Sequence, residues 1–331
     1  MARREQRLKR PEATPLKILV AVGGNSIEKP GQTGSVREQV ESLALSMGAA
    51  ADLVVQGHRV VLTHGNGPQV GRALLRTELT GAKLAVDPLF ICGAETQGRI
   101  GFLMAQALTS ALLARNLSVP VTALVTRVLV DPEDADFKNP TKPIGSFYSA
   151  QRAQDLMQRR RYQMVEDAGR GWRRVVPSPR PIQILELETI RSLVDAGHVV
   201  ICCGGGGVPV VPGGAFGFIG VDAVIDKDRA SALLAVELAV DVLIITTGVS
   251  RVALDFGKPE QREVAVMDVD AARESLAEGQ FPPGSMGPKI EGAIDFIEAT
   301  GSEVIITDPE SLLSSLEGRT GTRLTPVAKR S

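Results

Sequence analysis

Aromatic residues are scarce, 4% of 331 residues with one Trp and two Tyr, so a large core must be built from aliphatic side chains. Cysteine is scarce as well. Cys92, Cys202 and Cys203 are odd in number, include an adjacent pair and lack C-x-x-C spacing. That excludes a disulfide framework or a cysteine zinc site, and it reads as buried thiols in a reducing cytosol. No sign of charge dominates. With 37 Lys and Arg against 38 Asp and Glu the net charge is −1, leaving no global field to favour nucleic acid or membrane as a partner. No uninterrupted apolar run reaches membrane length, the best, Ala232 to Val249, being broken by Glu237 and Asp241. Residues 1–15 carry Arg3, Arg4, Arg7, Lys9 and Arg10 without an apolar core, which excludes a secretory signal and leaves a basic tail expected to be disordered. Neither G-x-G-x-x-G nor G-x-x-x-x-G-K-[ST] stands in the required context, so neither a dinucleotide fold nor a P-loop is supported.

Glycine and short aliphatic runs are what the chain has. Lys17 to Val22 reads as a buried parallel strand, and Val36, Val40, Leu43, Met47, Ala50 and Val54 recur at helical spacing. Strands follow at Arg59 to Thr63, Val121 to Thr126, His198 to Cys203, Val242 to Thr247 and Glu303 to Thr307, with helical stretches between them. This alternation predicts a parallel sheet with helices on both faces. The rhythm breaks over about 127–181, a proline-rich segment expected to be a small inserted subdomain able to move. Phe137, Ile144, Phe147, Tyr148, Tyr162 and Trp172 could form a core of its own.

Three strand exits are glycine-rich: Gly23-Gly24-Asn25, Gly65-Asn66-Gly67-Pro68 and Gly204 to Gly207. Ligands of open α/β sheets bind outside the carboxyl ends of the strands, and glycine there lets backbone N–H groups approach an anion. One such turn is weak evidence, because strand-to-helix connections also use glycine for steric reasons. Two lysines sharpen the picture. Lys227 stands in Asp226-Lys227-Asp228 at the start of an apolar helical run, and Lys289 follows Pro288, expected at a first helical position. Phosphoryl transfer needs positioned positive charge more than covalent chemistry. Either lysine alone reads as a solvated charge; together with the glycine turns they point to phosphate handling. Asp226 and Asp228 suit either holding ammonium groups or capping the helix, and His64 suits shaping its turn better than acting as a base. Lys142, between Pro140 and Pro143, is either a stiffened anion-lid residue or a rigid surface turn.

Several runs resemble the carbamate kinases of the amino acid kinase family. They include Thr63-His64-Gly65-Asn66-Gly67-Pro68-Gln69-Val70-Gly71, Asn139-Pro140-Thr141-Lys142-Pro143-Ile144-Gly145 and Glu166-Asp167-Ala168-Gly169-Arg170-Gly171-Trp172-Arg173. Gly204-Gly205-Gly206-Gly207-Val208-Pro209-Val210, Val224-Ile225-Asp226-Lys227-Asp228 and Pro283-Gly284-Ser285-Met286 continue the likeness, which extends from about Lys17 to Thr322. The resemblance implies an α/β fold, a three-layer αβα sandwich around a mostly parallel sheet, filling 16–331 with an inserted lid subdomain over about 127–181. It implies a cytoplasmic homodimer that transfers a phosphoryl group reversibly between ATP and carbamate, giving ADP and carbamoyl phosphate, with Mg2+ as cofactor.

Carried over by motif, Lys227 and Lys289 would stabilise the moving phosphoryl group, Asp228 would orient them, and Lys142 would reach in from the lid. Gly23, Gly24, Asn25, Gly65, Asn66 and Gly67 would hold carbamate or carbamoyl phosphate. Gly205, Gly206, Asp226, Gly248 and Met286 would serve the nucleotide. There are departures. Gly248-Val249-Ser250-Arg251-Val252-Ala253 stands where the family usually reads Gly-Val-Asp-x-Val-Tyr, so weak base selection is expected over 248–259. Ser26, Arg72 and Arg99 replace smaller or uncharged residues. Arg72 and Arg99 suggest one rival, a kinase for a related small acid or carbamoyl compound; a second, of another class, is a catalytically silent carbamoyl-phosphate or nucleotide sensor.

Overall fold

The computed structural model describes residues 14–327 apart from 30, 82, 167–170, 216 and 283. The basic tail expected over 1–15 lies outside the described residues except for its last two. The chain opens with β1 (Lys17–Val22), α1 (Val36–Val55), β2 (Arg59–His64), α2 (Gly67–Thr80), α3 (Leu89–Leu113) and β3 (Val121–Ala123). After β4 (Arg127–Val130), β5 (Lys142–Tyr148), α4 (Ala150–Arg160), β6 (Met164–Glu166), β7 (Trp172–Val176) and β8 (Pro181–Ile184), the rhythm resumes with α5 (Leu187–Asp195) and β9 (Val199–Ile201). Then come β10 (Val208–Pro212), β11 (Phe218–Gly220), α6 (Lys227–Glu237), β12 (Val242–Thr246) and the hairpin β13 (Val252–Leu254) and β14 (Arg262–Val264). β15 (Val266–Asp268), α7 (Val269–Ala277), α8 (Met286–Thr300), β16 (Glu303–Thr307), α9 (Leu312–Leu316) and β17 (Thr322–Thr325) complete it.

Eight strands form the central sheet in the order β15-β17-β16-β12-β1-β2-β9-β3. It is parallel from β3 to β16 and turns antiparallel only where β17 meets β16. The pleat of β1 shows why three layers form. Ile18, Val20 and Val22 point to one face, beneath α1 and α3, whereas Leu19 and Ala21 point to the other, beneath α5, α6 and α8. Alternate side chains of one apolar strand thus feed two cores, as expected of a strand covered on both faces. Phe296 is fully buried on α8, and the rest of both cores is almost wholly aliphatic.

Four expectations need correction. The strand expected over Val121 to Thr126 stops at Ala123, because side-chain bonds turn the chain away. Thr126 N–H donates to Gln97 Oε1 at 2.8 Å, and Thr126 Oγ1 accepts from Cys203 N–H at 3.0 Å. Second, residues 127–181 are not one hydrogen-bonded unit. β4 and β8 join β10 and β11 in a four-stranded sheet, while β5, β7 and β6 form a separate three-stranded sheet. Third, that small sheet has no aromatic core. Ile144 and Val176 pack on Val70 and Leu74 of α2, Phe137 joins the main core, and Phe147 is exposed. Fourth, Pro288 is not the first helical residue. α8 begins two residues earlier at Met286, and Gly287 N–H donates to the Pro282 carbonyl at 2.9 Å.

Candidate active site

The carboxyl ends of β1, β2 and β12 open into a cavity of about 610 Å³. Glycine is needed at its floor for close backbone approach. Gly23 N–H donates to Thr246 Oγ1 at 2.8 Å, and a Cβ on Gly23 would stand 2.8 Å from the Thr246 carbonyl oxygen. Gly205 has φ +64°, and a Cβ there would meet the Asn66 amide at 2.2 Å. Only glycine combines that left-handed backbone with that clearance.

Positive charge converges on this floor. Asp226 caps α6, its Oδ1 accepting from Asp228 N–H at 2.8 Å, while its Oδ2 accepts from Lys142 Nζ of β5. Asp228, the second residue of α6, takes Lys227 Nζ on Oδ1 and Lys289 Nζ of α8 on Oδ2, the latter at 2.9 Å. Both proposed roles of the aspartates, capping and holding ammonium groups, are therefore filled together. Behind them, Thr63 of β2 bonds Ser231 Oγ at 2.6 Å, and Ser231 Oγ donates to the Lys227 carbonyl at 2.6 Å, fixing the start of α6 to the sheet.

The electrostatics follow from burial. Burial raises the Asp226 carboxyl, but the Lys142 charge and hydrogen bond, then Lys227, outweigh it and leave the group well below the usual carboxylate range. Asp228 is lowered in the same way, burial being overcome by Lys227 and Lys289. Burial lowers Lys227 despite Asp228, whereas Lys289 is raised because Asp228 outweighs its burial. Three lysines against two aspartates leave one surplus positive charge facing the cavity. His64 is buried beneath it, donates from Nδ1 to the Gly65 carbonyl at 3.0 Å, and is lowered to about 4 by burial first and then by Lys227. A neutral, walled-in imidazole shapes the turn.

Gly23, Gly24, Gly65, Asn66, Gly67, Lys142, Gly205, Asp226, Lys227, Asp228 and Lys289 all line this cavity. Gly206, Gly248 and Met286 do not. Gly206 sits against the Ile225 carbonyl, Gly248 is on an exposed loop, and Met286 packs on the main core. Asn25 lies in the 3-10 turn at 24–26; its side chain is outside the described structure. Further groups line the cavity without having been singled out, among them Thr246 at the end of β12 and Arg173 on β7. Thr246 could have been noticed as a hydroxyl closing an apolar strand, and Arg173 as a cation beside the chain's one Trp.

The Amino acid kinase family model matches residues 17–308. The chain belongs to the amino acid kinase family. Within it, the carbamate kinase-like protein YahI of Escherichia coli is 46% identical over 310 residues, covering 93% of this chain and 98% of that protein. The carbamate kinase of Thermococcus kodakarensis is 42% identical over 311 residues, with 93% and 98% covered. The Giardia lamblia carbamate kinase bound to AMP-PNP superposes with a TM-score of 0.86 at 40% identity, covering 95% of this chain and 99% of that one.

Two departures of this amino acid kinase acquire definite surroundings. Arg72 lines the cavity, but both of its terminal nitrogens donate to Glu28, at 2.7 and 2.5 Å. The loop over 248–259, where weak base selection is expected, borders a second cavity. Asp255 and Phe256 line a neighbouring cavity of about 580 Å³ together with Phe281 and Lys258.

Proposed function

We propose that the protein is a carbamate kinase, transferring a phosphoryl group reversibly between ATP and carbamate. The observation that carries this is Asp228 holding Lys227 and Lys289 side by side over a glycine floor. In such a transfer the transition state spreads charge over the phosphoryl oxygens, and fixed cations stabilise it without reorganising. The two ammonium groups take that role, and Asp228 fixes their separation. The N–H groups of Gly24, Asn66 and Gly67 orient carbamate or carbamoyl phosphate, and nucleotide phosphates approach from the Thr246 and Ser285 side. Lys142 closes the cavity from β5, and Asp226 holds it there.

Magnesium fits this arrangement only as a companion of the nucleotide. Among the described residues no group of three His, Cys, Asp or Glu side chains could hold a metal ion, and lysines occupy Asp226 and Asp228. An ion that keeps most of its waters and binds phosphate oxygens needs no protein cage. The cytoplasmic homodimer rests on the family resemblance. Three free, buried cysteines agree with a reducing compartment, and no helix among the described residues is long and apolar enough to cross a membrane.

The rival reading, a kinase for a related small acid or carbamoyl compound, rested on Arg72 and Arg99. Arg72 is neutralised by Glu28, and Arg99 does not line the cavity. Neither of these two arginines thus offers a free guanidinium to a second carboxylate in the cavity, which favours carbamate as the acceptor. The deciding experiment is coupled detection of ATP formed from carbamoyl phosphate and ADP. Turnover supports the assignment. Ligand binding without turnover would replace it with a sensor, and faster phosphorylation of another acid would replace carbamate.

A further inference from the structure

We propose that the cleft between α2 and α3 is a second, non-catalytic anion site that takes a small oxyanion of the phosphate class. A cavity of about 150 Å³ lies there, lined by Gln69, Arg72 and Arg76 of α2 and by Glu95, Thr96 and Arg99 of α3. The spacing explains the convergence. Positions three, four and seven apart share one helix face, so 69, 72 and 76 face 95 and 99 across the cleft.

Three guanidinium groups meet one carboxylate in this lining. Arg72 is occupied by Glu28, but among the described residues neither Arg76 nor Arg99 has an ion-pair or hydrogen-bond partner for its guanidinium. Glu95, four residues before Arg99, does not pair with it. A guanidinium presents several donors in a fixed plane that matches the edge of a phosphate or carboxylate. Two such planes, on facing helices and free of acids, form a complementary pair of walls for an oxyanion.

Gln69 narrows the class. It is 4% exposed, its Nε2 donates to Glu28 at 3.3 Å, and its Oε1 is buried with no partner. An orphaned buried acceptor calls for a donor. Hydrogen phosphate brings a P–OH group along with its negative oxygens, whereas sulfate at neutral pH has no proton to give. The volume, 150 Å³, equals about five waters at ~30 Å³ each, room for a tetrahedral oxyanion but not for a nucleotide. Arg72 also lines the catalytic cavity, so the site adjoins the active centre through that side chain.

The test is a calorimetric titration of inorganic phosphate into the intact protein at low salt, against an Arg76→Ala/Arg99→Ala double variant. Wild type is expected to show two classes of binding, one at the catalytic lysines and one at the cleft. The double variant should lose only the second, by about tenfold or more in Kd for two missing charge-assisted contacts. An Arg76→Lys/Arg99→Lys variant, keeping charge without the planar fork, should fall between. Sulfate should bind the cleft severalfold more weakly than phosphate. Thermal unfolding establishes that each variant is folded, and turnover at saturating substrate should stay within about twofold of wild type, since neither arginine lines the catalytic cavity. Identical phosphate titrations for wild type and double variant would overturn the site, and equal sulfate binding would overturn the phosphate assignment. Loss of the second class in a protein without carbamate kinase turnover would refute the proposed function and leave this site standing.

Discussion

The floor of the catalytic cavity and the small sheet above it carry the same kind of charge in opposite ways. On the floor, the Lys227 and Lys289 side chains are each 11% exposed, and the Asp228 between them is 4% exposed. On the small sheet, Lys142 is 29% exposed and meets a single carboxylate, Asp226. A buried ion pair must recover a large desolvation cost through good geometry and further hydrogen bonds. Asp228 does so by serving two ammonium groups at once, and Ser231 and Thr63 brace the helix start that carries Lys227. The Lys142 contact has no such second partner. The floor lysines are thus fixed by a shared carboxylate, whereas the upper contact depends on a single pair between a partly exposed lysine and a buried carboxylate.

Truncation of the floor lysines should have the largest effect. Lys227→Ala and Lys289→Ala should each lower kcat by about 10²–10³, the usual cost of one preorganised electrostatic donor, with circular dichroism unchanged. Near-wild-type turnover in either folded variant would remove the central assignment.

The floor should also show itself in pH dependence through His64. Burial lowers its folded pKa from 6.5 to about 4, so between those values the unfolded chain binds a proton that the folded protein does not. Stability from this group is therefore full above about pH 6.5 and is lost as pH falls toward 4. At 1.36 kcal/mol per pKa unit the loss amounts to about 3 kcal/mol. Denaturant unfolding of wild type and His64→Asn across that range should give a visibly flatter slope for the variant. Parallel slopes would mean that the imidazole is not held neutral.

The upper sheet is expected to behave as a lid and to respond more mildly. Lys142→Ala should lower kcat about tenfold, as one lost charge contact that forms on closure, and nucleotide should slow proteolysis within 142–176 of wild type. Gly71→Ala sharpens the same point. An added Cβ would lie 2.0 Å from Gly145 Cα of β5, backbone that cannot step aside, so the small sheet should lift off α2 and the ligand-induced protection should vanish. Equal cleavage with and without nucleotide in wild type would show that the segment is not a lid.

The smallest effect is expected at the nucleotide base. Asp255 and Phe256 lie just beyond the departing run Gly248 to Ala253, and Arg251 within it is half-buried. Phe256→Ala should relax the preference for ADP over GDP, CDP and UDP by a few-fold, less than full loss of base stacking worth about 1–3 kcal/mol, whereas Arg251→Ala should leave it unchanged. An ADP preference untouched by Phe256→Ala would place base selection elsewhere.

Much of this was legible in the chain. Aliphatic runs such as Ile18 to Val22 and Val242 to Ile245 mark buried parallel strands, because a strand covered on both faces is apolar on successive residues rather than on alternate ones. The glycine exits and both lysines are visible as local motifs. What stayed hidden depends on partners far along the chain. The end of β3 is set by Gln97 and Cys203, the division of 127–181 by strand pairing with β10, and the acceptor end by the bond between Arg72 and Glu28.

The α/β rhythm and the residue types that can handle a phosphoryl group are set by periodicity and short-range spacing along the chain, and the family is legible in the resemblance of its motif runs. Tertiary structure alone decided that Lys227 and Lys289, 62 residues apart in sequence, share one carboxylate, that Arg72 is neutralised, and that Gly206, Gly248 and Met286 stand outside the cavity. The physical reason is that charge pairing and burial are properties of distance in space, and distance in space is set only when the sheet brings separate strand ends together.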